Sequence, residues 1–135
     1  MEKTPAPQNH QKTVLVVDDD KSVLRYVSKL VADANYLVLT AVNGSEALQQ
    51  SRDYKGDINL LLSDFHMPGL NGMDLATQMT RDRPGLKVLL MSSFPDGMLV
   101  LNEGWHFLSK PFIPSQLRTL ISGLALPDNP TRFSK

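Results

Sequence analysis

Short apolar runs alternate with helical patterns along this chain, and that alternation constrains its fold more than any other feature. Val14–Asp18, Tyr36–Ala41, Ile58–Ser63, Val88–Met91 and Trp105–Ser109 each read as a strand, being short and rich in β-branched or aromatic residues. The intervening segments space their apolar residues by three and four, as an amphipathic helix requires. Val23, Val27, Leu30, Val31 and Ala34 do so after the first strand. Ser45, after the Asn43-Gly44 turn, is the expected N-cap of a short helix ending near Asp53. Asn71-Gly72 leads into a third helix carrying Leu75, Ala76 and Met79, stopped before Pro84. Pro114 opens a last one through Leu117, Leu120, Ile121 and Leu124.

Strands and helices in strict alternation imply an α/β fold, a doubly wound parallel sheet of five strands with helices on both faces. Strands one, three and four are apolar enough to be central and covered on both sides. Between Ser92 and Trp105 the pattern weakens. Only Phe94–Gly104 is free there, and Met98–Leu101 is a continuous apolar run. A fourth helix in that space is expected to be short or irregular, about two turns at most.

The chain has 135 residues, which is one domain with a sizeable core. The polar, proline-containing residues 1–12 read as a flexible lead, 13–125 as the folded unit and 126–135 as a tail. With about ten residues after the last helix, we expect a stand-alone domain or a module of a longer chain. Fourteen basic and fourteen acidic residues give no net charge, against a nucleic-acid-binding face. The absence of cysteine excludes disulfides, thiolate metal sites and cysteine nucleophiles, and agrees with a cytoplasmic location. No apolar run approaches the ~20 residues of a membrane span, and the N-terminus lacks the apolar core of a signal peptide.

The chemistry sits where strands end. Asp18, Asp19 and Asp20 close the first strand, Asp64 the third, Ser92 the fourth, and Lys110 follows the fifth. In an open α/β sheet the carboxyl ends of the strands form one rim, where ligands bind. Adjacent carboxylates repel unless a cation neutralises them. Mg²⁺ suits this set, because it takes oxygen ligands and is commonly held by one or two carboxylates plus phosphate. Carboxylates, a hydroxyl and an ammonium are the groups that phosphoryl transfer to a carboxylate needs. Asp20 is better placed to cap the first helix than to bind metal. Trp105 and the methionines read as packing, and His10 and His106 carry no argument.

Four motifs, VLVVDDD at 14–20, LLLSDFHMPGLNG at 60–72, VLLMSS at 88–93 and FLSKPF at 107–112, together resemble the receiver domains of two-component response regulators. The resemblance covers nearly all of residues 13–124 and implies the flavodoxin-like strand order 2-1-3-4-5. It implies Asp64 as phosphoacceptor, with Mg²⁺ held by Asp19, Asp64 and the backbone carbonyl of His66, and by Asp18 through water. Ser92 is then the switch hydroxyl, Phe107 the switch aromatic, and Lys110 the ammonium that pairs with Asp64 and later with the phosphoryl oxygens. Lys110-Pro111 is expected to be a cis peptide. The implied partners are a sensor histidine kinase or a histidine-containing phosphotransfer domain, with no direct nucleic-acid or membrane binding. The short segment before FLSKPF is more similar to receivers attached to hybrid histidine kinases than to those of transcription factors. Asn71 stands where the family usually has an acidic residue, and a large Phe94 two residues after Ser92 is expected to shield an acyl phosphate from water.

Two other readings compete. Asp18-x-Asp20-x-Ser22 loosely fits the nucleophile loop of haloacid-dehalogenase-like phosphatases, but leaves Asp64 and Lys110-Pro111-Phe112 without a role. A degenerate receiver that binds partners without phosphorylation would not need the full set of Asp18, Asp19, Asp64, Ser92 and Lys110.

Overall fold

The computed structural model describes residues 11–93 and 104–125. The Met98–Leu101 run where a short helix is expected, Phe94, His10 and the 126–135 tail fall outside the described residues. Five strands, β1 (Thr13–Val17), β2 (Leu37–Ala41), β3 (Leu60–Asp64), β4 (Lys87–Ser92) and β5 (Trp105–Ser109), form one sheet. Four helices accompany them: α1 (Lys21–Asp33), α2 (Gly44–Asp53), α3 (Gly72–Asp82) and α4 (Pro114–Ala125). All neighbouring strands are parallel, and their order is β2-β1-β3-β4-β5, the flavodoxin-like order. The three apolar runs occupy the centre, with every residue of β1 and β3 buried and β4 exposed only at Lys87.

Side chains of a strand alternate between sheet faces, and this sorts the core into two layers. Val14, Val16, Leu60, Leu62, Leu89, Met91 and Leu108 pack with Val27 and Val31 of α1 and Leu117 and Ile121 of α4. Leu15, Val17, Leu61, Val88 and Leu90 pack with Ala47 of α2 and Leu75, Ala76 and Met79 of α3. Trp105, Met67, Met79 and Met91 all pack within these layers.

Asp20 caps α1 as expected, accepting from the Ser22 and Val23 N–H groups at 2.9 and 3.3 Å. The cap of α2 is Asn43, not Ser45. Asn43 accepts from the Glu46 N–H at 2.7 Å, while the Glu46 carboxylate accepts from the Val42 N–H at 2.7 Å. Asn43 directly precedes Gly44, the first residue of α2, so Ser45 falls within the first turn. At the far end of the sheet Arg83 ties α3 to α2. Its guanidinium donates to Ser51 Oγ and to the carbonyls of Ser51, Tyr54 and Gly56 at 2.8–3.1 Å.

Candidate functional site

Strand register assembles the site. β1 and β3 align Val17 with Ser63, so the next residues, Asp18 and Asp64, emerge side by side. By the same alternation both fall on the face that carries Val16 and Leu62, toward α1 and α4. On β5, Leu108 belongs to that face, and Lys110 two residues later returns to it. The Lys110 N–H donates to the Ser92 carbonyl at 2.7 Å, which holds the start of the following loop against β4.

The result is one charged cluster. Lys110 Nζ lies 3.1 Å from Asp18 Oδ2 and 3.2 Å from Asp64 Oδ1. Asp18 is 1% exposed at its side chain and Asp64 12%, while Asp19 is exposed. Asp18, Asp19 and Asp64 each offer an oxygen within 4.8 Å of the others. Three hard oxygen donors at that spacing, partly open to water, fit a small divalent cation of the Mg²⁺ type.

Burial pushes the Asp64 carboxyl above its ordinary value, Lys110 opposes this, and the charges of Asp18 and Asp19 add to the rise. Burial alone would lower Lys110, but Asp18 and then Asp64 outweigh it and hold the ammonium charged. A cation among the three carboxylates would relieve the repulsion that strains Asp64.

The remaining expected residues surround this cluster. Ser92 is fully buried at the end of β4, one residue beyond Met91, which pairs with Asp64. Phe107 is half-buried and pairs with Leu90, two residues before Ser92, so Ser92 and Phe107 share a sheet face. That face is the α2–α3 side, opposite the one that carries Asp64. The His66 side chain is exposed, its ring edge-on to Phe65 at 4.7 Å. Lys110-Pro111 is a cis peptide.

Two features escaped the sequence. The contact of Lys110 with Asp18 joins residues 92 apart and depends on register, which no local pattern reveals. Gly72, which reads only as a turn residue, presses α3 against the backbone of the candidate reactive residue. A Cβ there would collide with the Asp64 carbonyl oxygen and meet Phe65 Cα at 3.0 Å. The Gly72 N–H also donates to the Phe65 carbonyl at 3.0 Å. Its one signal was the Asn71-Gly72 pair, which serves a turn equally well.

Comparison with known proteins agrees with this geometry. A two-component response regulator of Arabidopsis thaliana, ARR14, is 36% identical over 113 residues, covering 79% of this chain and 29% of its own length. The chain spans less than a third of the curated relatives of this kind. The response regulator TrrA of Thermotoga maritima, solved in complex with Mg²⁺-BeF, superposes with a TM-score of 0.75 at 25% identity, covering 84% of this chain and 99% of that one. The receiver domain of the hybrid histidine kinase CckA superposes at 0.69 with 27% identity, covering 84% and 99%. Residues 14–122 match the family of response regulator receiver domains, and the chain, with its acidic cluster and Lys110 at the carboxyl rim of a 2-1-3-4-5 sheet, belongs to that family.

Proposed function

We propose that Asp64 accepts a phosphoryl group from a sensor histidine kinase or a histidine-containing phosphotransfer domain. The observation that carries this reading is the convergence at one strand rim of Asp18, Asp19 and Asp64, with oxygens within 4.8 Å of one another, and of Lys110, within hydrogen-bonding reach of Asp18 and Asp64. A carboxylate oxygen of Asp64 forms the new P–O bond, the P–N bond to the donor imidazole breaks, and its electron pair stays on the ring nitrogen. Lys110 meets the charge on the phosphoryl oxygens. Mg²⁺, when bound, supplies further neutralisation of that charge. Asp19, Asp64 and the His66 carbonyl would hold it directly and Asp18 through water. The Mg²⁺-BeF complex of the Thermotoga relative supports the choice of metal for this chain.

The Ser92 hydroxyl then bonds a phosphoryl oxygen, and Phe107, on the same sheet face, follows it. Phosphorylation in this way shifts a two-state equilibrium that a partner protein reads at the surface. The chain is thus a phosphorylated signalling domain, residues 13–125, whose own chemistry is limited to transfer and autodephosphorylation. Among the described residues no helix is long and apolar enough to cross a membrane. We place the protein in the cytoplasm, where a kinase would meet it.

The test is Mg²⁺-dependent uptake of phosphate from a small phosphodonor, with Asp64→Asn as control. Uptake lost in that variant is expected. Uptake that survives it, or turnover of generic phosphate esters, would shift the reading to a phosphatase with Asp18 as nucleophile. Equal partner affinity for wild type and Asp64→Ala would instead indicate a phosphorylation-independent binding module.

A further inference from the structure

Both oxygens of Asp18 are already engaged. Oδ1 accepts from the Asp20 N–H at 2.9 Å, and Oδ2 accepts from Lys110 Nζ at 3.1 Å. The carboxylate is buried, and its own N–H donates to the Ala41 carbonyl at 3.3 Å, so β2 fixes it from behind. Asp20 is in turn fixed as the cap of α1. A rigid chain of contacts thus runs from the start of α1 through Asp20 and Asp18 to the ammonium. Lysine presents a compact charge on a flexible four-carbon stem, and a fixed anion beside it restricts where that charge sits.

Asp64 cannot be the constant partner. On the proposed reading its attacking oxygen becomes an acyl ester, and the negative charge moves outward onto the phosphoryl group. The charge of Asp18 does not change in that step. We infer that Asp18 is a positioning residue, the anchor that holds Lys110 beside Asp64 while the charge at Asp64 is redistributed. The contribution of Asp18 to metal binding is then secondary to its hold on Lys110. The functional half of this inference rests on Asp64 being the phosphoacceptor; the anchoring half does not.

Two measurements separate these halves. The first follows the Lys110 ammonium by NMR in the metal-free protein, with the signal assigned by its loss in Lys110→Met and folding checked by the amide spectrum. A slowly exchanging signal is expected in wild type and in Asp64→Asn, with exchange at least about tenfold faster in Asp18→Asn. Asn keeps the acceptor for the Asp20 N–H, so this variant removes the ion pair and little else. No held ammonium in wild type, or one that survives Asp18→Asn and disappears in Asp64→Asn, would overturn the inference.

The second is a double-mutant cycle on phosphate uptake, run at Mg²⁺ levels shown by separate titration to saturate each variant. Asp18→Asn should slow uptake about tenfold or more beside Lys110, and less than about threefold in the Lys110→Met background. Equal losses in both backgrounds would mean that Asp18 acts through the metal or the fold, against the inference. If wild type takes up no phosphate, the proposed function fails, and the ammonium signal still decides the anchor.

Discussion

At the scale of single residues, the three successive aspartates do three different things. Asp20 caps a helix, Asp18 is buried against Lys110, and Asp19 is left exposed with an oxygen free to meet a cation. Asp19→Asn should therefore weaken Mg²⁺ binding by at least about tenfold, read by direct titration, because it removes a charge from the carboxylate proposed to hold the metal directly. Asp64 carries a sign that can be checked in the metal-free protein. Its raised pKa means that the folded state binds the proton more tightly than the unfolded chain does. The stability this contributes is complete below the ordinary value of 3.8 and is lost as pH rises through the higher folded value. Asn mimics the neutral carboxyl, so Asp64→Asn should be more stable than wild type at pH near 7, with the difference closing near pH 3. Urea midpoints at the two pH values test this; a variant less stable than wild type at neutral pH would contradict it. Added Mg²⁺ should stabilise wild type selectively, since binding to the folded state alone shifts the equilibrium.

At the scale of elements, the site depends on how strands end and helices begin. Gly72 lets α3 start directly against the Asp64 carbonyl. Gly72→Ala must push that backbone away, and phosphate uptake should fall about tenfold or more while the fold persists, as displaced reacting groups lose rate steeply. Asn71 caps the same helix by accepting from the Asp74 N–H at 2.9 Å, so Asn71→Ala should cost about 1 kcal/mol in urea unfolding. Much of this level was legible. The apolar runs of β1, β3 and β4, the Asp20 cap and the spacing of Leu117 and Ile121 declared themselves because burial imposes a period on the sequence. The start of β3 did not. Ile58 is buried like a strand residue, yet the strand begins at Leu60. The Asn59 side chain takes the Thr13 N–H at 2.8 Å, so apolar burial and strand pairing part company at that end.

At the scale of the whole molecule, the sheet has a chemical rim and a mechanical one. Acids and ammonium gather where the strands end, and Arg83 locks α2 to α3 at the opposite side. Arg83→Ala should lower stability by about 2 kcal/mol, because several charge-assisted hydrogen bonds go at once, and should leave Mg²⁺ affinity unchanged. A matching loss of Mg²⁺ binding would show that the two rims are coupled. The lock was invisible in the sequence, since nothing in Arg83 or Ser51 marks them as neighbours. The rim was visible as four strand-end residue types, but the position of Lys110 between two carboxylates needed the register of the sheet. The central claim is that Asp64, and no other carboxylate of the rim, becomes an acyl phosphate. Borohydride reduction of the phosphorylated protein converts an aspartyl phosphate to homoserine, and peptide mass mapping then locates it. The account predicts homoserine at position 64 alone, dependent on Mg²⁺; homoserine at Asp18 or Asp19, or phosphate retained on Ser92, would contradict it.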